Sequence, residues 1–245
     1  MKKPLNRIVN HRDETTLASA FRRKRFELFI SLIAPLKRPV TILDIGGELR
    51  YWEIMGFTNN PNYQIIIVNL CPIVNSYPNI HTVLGDATNL INFNNQEVDI
   101  SFSNSVIEHL GSLSNQQAMA QEVKRVGKLY FIQTPNKHFP LEPHFLVPFF
   151  QYYPISFQTT LIQHFNLGWY KKIPNREEAE NLVRSHRLLT GNEMQNLFPE
   201  GCLYRERVLG WIKSFIAYGP GERGGKIIGH ERTMDYSHAN ITDDK

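Results

Sequence analysis

The stretch Val40–Trp52, VTILDIGGELRYW, most constrains what this chain can fold into. Its first five residues, Val40–Asp44, are β-branched or apolar and end in a carboxylate, which is typical of a buried strand. Gly46 and Gly47 follow at once, and a helix is predicted to begin near Leu49. A strand, a glycine turn and a helix open a nucleotide-binding α/β domain, because glycine lets a ligand approach the main chain closely.

The residues of the turn restrict the ligand. The turn has neither the G-x-G-x-x-G pattern of a dinucleotide site nor the Gly-Lys-Ser/Thr of a P-loop. Glu48 would repel a pyrophosphate at the position where one should lie. The turn therefore favours a ligand without phosphates, such as a cationic one. The alternative is a β-turn-α corner that binds no ligand.

The same alternation of strand, polar turn and helix continues along the chain and predicts an α/β fold with a parallel sheet. The further predicted strands are Gln64–Leu70, Ile80–Leu84, Val98–Ser103, Lys128–Gln133, Leu203–Leu209 and Gly210–Tyr218. The predicted helices are 15–34, Ser114–Val126 and Thr190–Phe198, the last two with capping-box patterns at Ser114/Gln117 and Thr190/Glu193.

We predict one domain over residues 1–218, interrupted by an insertion at 136–187, and a loose, glycine-rich tail at 219–245. Within the insertion, Lys137–Tyr170 holds ten of the chain's twenty-eight aromatic residues. Such a segment is too apolar for a surface loop that packs against nothing and binds nothing. It is interpreted as a lid over an apolar acceptor, a homodimer contact, a peripheral membrane contact, or a helical hairpin packed on the sheet.

Composition excludes several classes of protein. The net charge is only +4, and no basic run is interleaved with aromatics, so nucleic acid is not an expected partner. The basic cluster Arg22–Arg25 is interpreted as a solvated helix face, with contact to an anionic surface as the alternative. Cys71 and Cys202 lie in no C-x-x-C motif and are expected to be reduced and buried, or nearly so, as in a cytoplasmic protein. The apolar run Phe26–Leu36 is too short to span a bilayer, and no signal peptide is visible.

The ordered set of motifs resembles the class I S-adenosylmethionine-dependent methyltransferases. The set is ILDIGG, an apolar strand about twenty residues on, then GDA, VDISFSNSVIEHL and KLYFIQTPN, and it covers roughly 40–136 and the final two strands. The resemblance is closest to the small-molecule branch. It implies a Rossmann-like, doubly wound, mostly parallel seven-stranded sheet with an antiparallel last strand, and S-adenosylmethionine as cofactor.

The resemblance also implies roles for residues at the strand ends. Asp44, Gly46 and Gly47 would lie against the methionine part of the cofactor, and Asn69 would hold the ribose hydroxyls. The adenine amino group would bond Asp86 with the Ala87 backbone beside it. The sulfonium region would be lined by Asn104 and Ser105. Two positions depart from the family pattern, which usually has glycine at Glu48 and an acid at Asn69.

Three histidines are candidate general bases: His109, His138 and His144. For His138 and His144, the alternative is a histidine of a surface loop without a catalytic role. In related enzymes of quinone synthesis, a Glu-x-x-Glu-His run binds a divalent metal, but here Ser105 replaces the first carboxylate of that run. We therefore expect no metal. Glu108-His109 then has two interpretations. It is either a pair at a helix start held by local hydrogen bonds, or the place where His109 acts as the general base.

The sequence favours a transferase that methylates a small, apolar or lipid-linked acceptor. The segment Phe139–Tyr153 would form a lid over the acceptor and carry His138 or His144 to it. A non-catalytic cofactor-binding or scaffold relative is the alternative. A nicotinamide oxidoreductase is disfavoured, because the chain lacks both the G-x-G-x-x-G and the acidic residue that would hold the ribose.

Overall fold

The computed structural model of the chain describes residues 17–220, with side chains from residue 21 onward. The strands are β1 Val40–Ile45, β2 Tyr63–Asn69, β3 Ile80–Leu84, β4 Val98–Asn104, β5 Gly127–Pro135, β6 Cys202–Val208 and β7 Trp211–Pro220. The α-helices are α1 Leu17–Ile33, α2 Leu49–Ile54, α3 Leu113–Val126, α4 Ile155–His164, α5 Arg176–Ser185 and α6 Gly191–Leu197. Two 3₁₀ turns lie at Ile107–Leu110 and Phe150–Tyr152.

The seven strands form one sheet in the order β3-β2-β1-β4-β5-β7-β6. All neighbours from β3 to β5 pair in parallel, and β7 pairs antiparallel with both β5 and β6. The predicted α/β fold with an antiparallel last strand is therefore confirmed. Strand order reverses at β1, which has β2 on one side and β4 on the other, and in open α/β sheets ligands bind at such a reversal.

Both faces of the sheet are covered by apolar side chains. On one face, Phe29 of α1 and Trp52 of α2 pack against strand residues such as Phe102. On the other face, Met119 of α3 and Met194 of α6 belong to a second buried cluster. Burial on both faces explains why the central strands read as continuous apolar runs rather than as alternating patterns.

Several predicted boundaries need correction. Strand β2 ends at Asn69, and Leu70 is exposed. Strand β7 enters the predicted tail, because Gly219 pairs with Tyr130 and Pro220 with Leu129. The rest of that tail, 221–245, and the predicted helix start at 15 lie outside the described residues.

Two local predictions at helix starts have opposite outcomes. The capping box of Thr190 and Glu193 is present at α6 and is confirmed. The box predicted at Ser114 is wrong: Ser112 precedes α3, and its Oγ accepts the hydrogen bond of Asn115 N. Cys71 is also exposed rather than nearly buried, while Cys202 is half-buried and both are free.

The insertion has a small core of its own. Phe145 and Phe150 pack with Ile162 of α4 and with Ala179 and Val183 of α5. This core accounts for part of the aromatic content, since two of the predicted lid's rings are buried inside it. Within residues 17–220, no helix is long and apolar enough to cross a membrane.

Candidate functional site

The glycine turn lies at the carboxyl edge of the sheet, between the ends of β2 and β4. Gly46 has a φ of +74°, and a Cβ there would come within 2.6 Å of Val106. Glycine is therefore required at this corner on both conformational and steric grounds. Asn69, at the end of β2, donates from Nδ2 to the carbonyl of Gly47 at 3.0 Å. The turn and Asn69 form one hydrogen-bonded unit.

Asp44 is buried beneath this turn. Its carboxylate accepts a hydrogen bond of 2.7 Å from Trp52 Nε1, and a Cβ on Gly47 would lie 1.8 Å from it. Burial raises the pKa of Asp44 to about 7; the Trp52 bond lowers it and the charge of Glu48 raises it further. Asp44 thus joins the end of β1 to helix α2 and stabilises the glycine turn between them.

The end of β3 carries an exposed acid. Asp86 Oδ1 accepts from both N and Oγ1 of Thr88 at 2.8 Å, which holds the loop in an Asx turn. Ala87 packs against the buried cluster on the α3 side. The Asp86 carboxylate therefore stays in solvent beside the edge where β2 ends.

At the end of β4, Asn104 and Ser105 are held by different partners. Arg25 Nη1 donates to Asn104 Oδ1, and the same guanidinium pairs with the buried Glu206 at 2.7 Å. Ser105 has a φ of +59°, and its Oγ donates to Gln133 Oε1 at 2.8 Å. Arg25 is buried, so the prediction of a solvated basic face is wrong at this residue.

These strand ends fit the cofactor that the resemblance implies. The structure brings the glycine turn, Asn69, Asn104 and Ser105 together at one edge, with an exposed carboxylate on the next strand along. The turn offers main chain without side chains, and no phosphate-binding group is needed for a cofactor that has no phosphate. Asn69 Oδ1 now accepts from the exposed Cys71 N–H at 3.2 Å and would exchange that bond for a ribose hydroxyl.

His138 stands apart from the other candidate bases. It is exposed, and its Nδ1 lies 2.7 Å from the hydroxyl of Tyr152. It lines a cavity of about 520 Å³ at the carboxyl edge of the sheet, beyond β5. Other residues around this cavity are Asn136, Thr190, Arg205, Trp211 and Phe215.

His109 and His144 meet each other and a third histidine, His186. The three ring centroids are 4.6–4.7 Å apart. His109 follows β4, whereas the other two come from the two ends of the insertion. Sequence reasoning missed His186 because it follows α5, far along the chain from the VIEHL element. The expectation of no metal assumed that only Glu108 and His109 could come within reach of each other.

The carboxylates around these histidines are buried. His144 Nδ1 lies 2.7 Å from Glu142 Oε1, and His144 Nε2 lies 3.9 Å from Glu108 Oε1. Burial lowers the pKa of His144, but the hydrogen bond and charge of Glu142 with the charge of Glu108 raise it above its ordinary value. Burial and the two neighbouring imidazoles lower the pKa of His109 to about 3. Burial raises the pKa of Glu108 to about 7.

Comparisons with solved structures show the fold. A protein from Bordetella parapertussis, named as a candidate exported protein, aligns over 83% of this chain and 70% of its own, with 12% identity and a TM-score of 0.52. A SAM-dependent methyltransferase from Methanosarcina mazei aligns over 77% and 95%, with 12% identity and a TM-score of 0.47. A proposed sarcosine dimethylglycine methyltransferase from Galdieria sulphuraria is 18% identical, with a TM-score of 0.39. The alignment covers 47% of this chain and spans only 45% of that protein.

Comparison with sequences identifies a methyltransferase domain in part of the chain. No curated protein matches the chain. The family model "Methyltransferase domain" matches residues 54–129, which run from the end of α2 into β5. That segment contains Asn69, Asp86, Asn104 and Ser105. Together, the matched segment and the fold are those of a methyltransferase domain, for which S-adenosylmethionine is the indicated cofactor.

Proposed function

We propose that this chain methylates a small acceptor with an apolar or aromatic part, bound at the carboxyl edge of the sheet beyond β5. The observation that supports this most is the 520 Å³ cavity lined by His138. Its volume lies within the range of small-molecule sites. Because β7 runs antiparallel, its first residues lie at the same edge as the ends of β1 and β4. One continuous edge thus carries both the glycine turn and the cavity.

The walls of the cavity match an amphipathic acceptor. Trp211, Ile212 and Phe215 of β7 offer apolar surface, while Arg205 offers a positive charge. Burial of one aromatic ring contributes about 1.5–3 kcal/mol. Tyr152, an exposed ring of the insertion, contacts His138 at the cavity wall and adds apolar surface there. An acceptor attached to a lipid would find contacts there for its chain.

His138 is proposed as the general base. Its ring hydrogen-bonds to Tyr152, which fixes the imidazole at the cavity wall. When bound, S-adenosylmethionine supplies an electrophilic methyl group on a sulfonium. The protein's part is to hold the acceptor atom in line and to accept its proton, which contributes proximity and acid–base catalysis.

The alternative is a cofactor-binding protein without turnover. It is favoured by Asn69, whose amide hydrogen-bonds to Gly47 and Cys71, and by Asp44, whose carboxylate is buried. In this reading, the turn binds the cofactor weakly and the cavity serves to recognise a partner.

The experiment has two stages. Thermal shift with S-adenosylmethionine, S-adenosylhomocysteine and NAD should show stabilisation by the first two alone. Transfer of a radiolabelled methyl group is then screened over amphipathic phenols, amines and carboxylic acids. The variant Trp211→Ala should raise the acceptor KM, whereas Trp169→Ala, an exposed tryptophan outside the cavity, should not. Cofactor binding without transfer to any acceptor would favour the alternative.

A further inference from the structure

We propose that His109, His144 and His186 bind a divalent transition-metal ion, with Zn²⁺ the favoured occupant and Glu108 at its fourth position. The three histidines each offer one nitrogen, and these nitrogens lie within 4.8 Å of one another. This proposal replaces the sequence-based expectation of no metal. It does not depend on methyl transfer, because its test measures metal binding.

The rings are arranged as ligands of one ion. Their centroids form a nearly equilateral triangle with sides of 4.6–4.7 Å, and no two rings are stacked face to face. Two nitrogens on a tetrahedral zinc ion are about 3.4 Å apart, from zinc–nitrogen bonds of about 2.0–2.1 Å. Small rotations of the rings, His109 above all because it is the most exposed, would close the remaining gap.

Outer contacts hold two of the imidazoles by their Nδ1 atoms. His144 Nδ1 lies 2.7 Å from Glu142 Oε1, and His186 Nδ1 lies 2.8 Å from the carbonyl oxygen of Leu182. With each Nδ1–H donated to an oxygen, each Nε2 keeps its lone pair for a cation. A carboxylate or a carbonyl behind a ligating histidine is the arrangement that protein metal sites use.

Glu108 supplies the second, independent observation. Its side chain is fully buried, Oε2 accepts from Thr134 Oγ1 at 3.0 Å, and Oε1 has no hydrogen-bond partner. That oxygen lies 3.9 Å from Nε2 of His144, which is one of the three clustered histidines. A buried carboxylate oxygen without a partner is costly. A cation bound by the histidines would satisfy it.

The donor set selects the metal. Imidazole nitrogens suit zinc, copper, iron and nickel, whereas magnesium and calcium take oxygen ligands. Three histidines and one carboxylate make a four-coordinate site suited to zinc. The phenol of Tyr170, now 3.0 Å from His186 Nε2, would give up that contact to the ion.

A metal ion at this site would cross-link the insertion to the turn that follows β4. His109 belongs to the turn after β4, and the other two ligands belong to the insertion. Arg187 N already donates to the carbonyl of Glu108 at 2.7 Å across the same junction. An ion there would add cross-links between segments that are distant along the chain.

The test uses the full chain without an affinity tag, stripped of metal by a chelator that is then removed. Calorimetric titration with Zn²⁺ should show one ion per chain, and Co²⁺ should give the intense visible absorption of a four-coordinate site. The variants His109→Gln and His186→Gln should weaken Zn²⁺ binding more than 100-fold. Glu142→Gln should weaken it by roughly 10–100-fold, as loss of an outer carboxylate does.

The matched control is His138→Gln, a histidine of the same segment outside the cluster, which should bind like the parent. Thermal unfolding without metal checks each fold, and added Zn²⁺ should stabilise the parent but not the cluster variants. If a variant fails to fold, Glu108→Gln gives the same comparison. Absence of stoichiometric binding by the parent, or equal affinity in the cluster variants that fold, would overturn the proposal.

Discussion

The carboxylate of Asp44 and the indole nitrogen of Trp52 form a hydrogen bond of 2.7 Å in which both side chains are buried. The bond joins the end of β1 to helix α2, directly beneath the glycine turn. An acid in this position has a pKa of about 7, mainly because of burial. The stability of the fold should therefore depend on pH in part through this residue.

The variant Asp44→Asn tests that dependence. The unfolded acid loses its proton near pH 4, whereas the folded acid keeps it until about pH 7, so stability falls as pH rises between those values. The loss is up to about 4 kcal/mol at 1.36 kcal/mol per pKa unit. Denaturant unfolding from pH 4 to 8 should show a shallower decline for the variant. Parallel profiles for the two proteins would show that Asp44 does not titrate there.

The buried pair of Arg25 and Glu206 should behave as a unit. Removal of one partner, as in Arg25→Met, leaves an uncompensated buried charge and should cost about 3–5 kcal/mol. The double variant Arg25→Met with Glu206→Gln should recover most of that loss, since Gln still accepts from Ser214. A double-mutant cycle by chemical denaturation measures the coupling, and strictly additive losses would argue against it.

Asp86→Ala should weaken S-adenosylhomocysteine binding by about 1–3 kcal/mol, because the adenine amino group loses its acceptor. The fold should survive, since Asp86 is exposed and, within residues 17–220, its carboxylate bonds only Thr88 of its own turn. Calorimetry provides the measurement. Asp99→Asn, at the amino end of β4, is the matched control and should bind normally. Unchanged affinity in folded Asp86→Ala would refute the adenine contact.

His138→Gln should lower kcat by about 10²–10⁴-fold, the usual contribution of a general base. Its affinity for S-adenosylhomocysteine should stay unchanged, because the residue lies beyond β5 rather than at the glycine turn. His164→Gln, an exposed histidine at the end of α4, serves as the control. Equal turnover in the two variants would remove His138 from the reaction.

Ser112→Ala should destabilise the protein by about 0.5–2 kcal/mol through loss of the N-cap of α3. Ser114→Ala should cost much less, although its sequence pattern predicts a capping box. Denaturant unfolding of both variants distinguishes the two serines. A larger loss for Ser114 would mean that the cap is misassigned.

Sequence patterns predict the parts of this fold that depend on the order of residues within a short segment. The strand Val40–Asp44 and the glycine turn are visible because burial on both faces demands an uninterrupted apolar run. Boundaries shifted by one or two residues, as at Asn69. The charge of Arg25 predicts a surface position, although the residue continues the four-residue spacing of buried Phe21 and Phe29 on α1. That spacing was the signal that could have revealed it.

The histidine cluster had no such signal. His109, His144 and His186 are separated by dozens of residues, and their meeting depends on how the insertion packs on the turn after β4. A lid is one of the interpretations of the aromatic segment, and two of its rings, Phe145 and Phe150, lie in the insertion's own core. Deletion of that segment would remove this core, so single substitutions are the sharper test of the acceptor site.

The two ends of the insertion meet: Asn136 and Leu189 form a β-bridge, and Lys137 N donates to the Leu189 carbonyl at 2.9 Å. The chain therefore leaves the sheet and returns to it at nearly the same point. Insertions whose ends are close can vary in length and sequence with little strain on their scaffold. In evolutionary terms, this segment can diverge independently of the half of the sheet around β1.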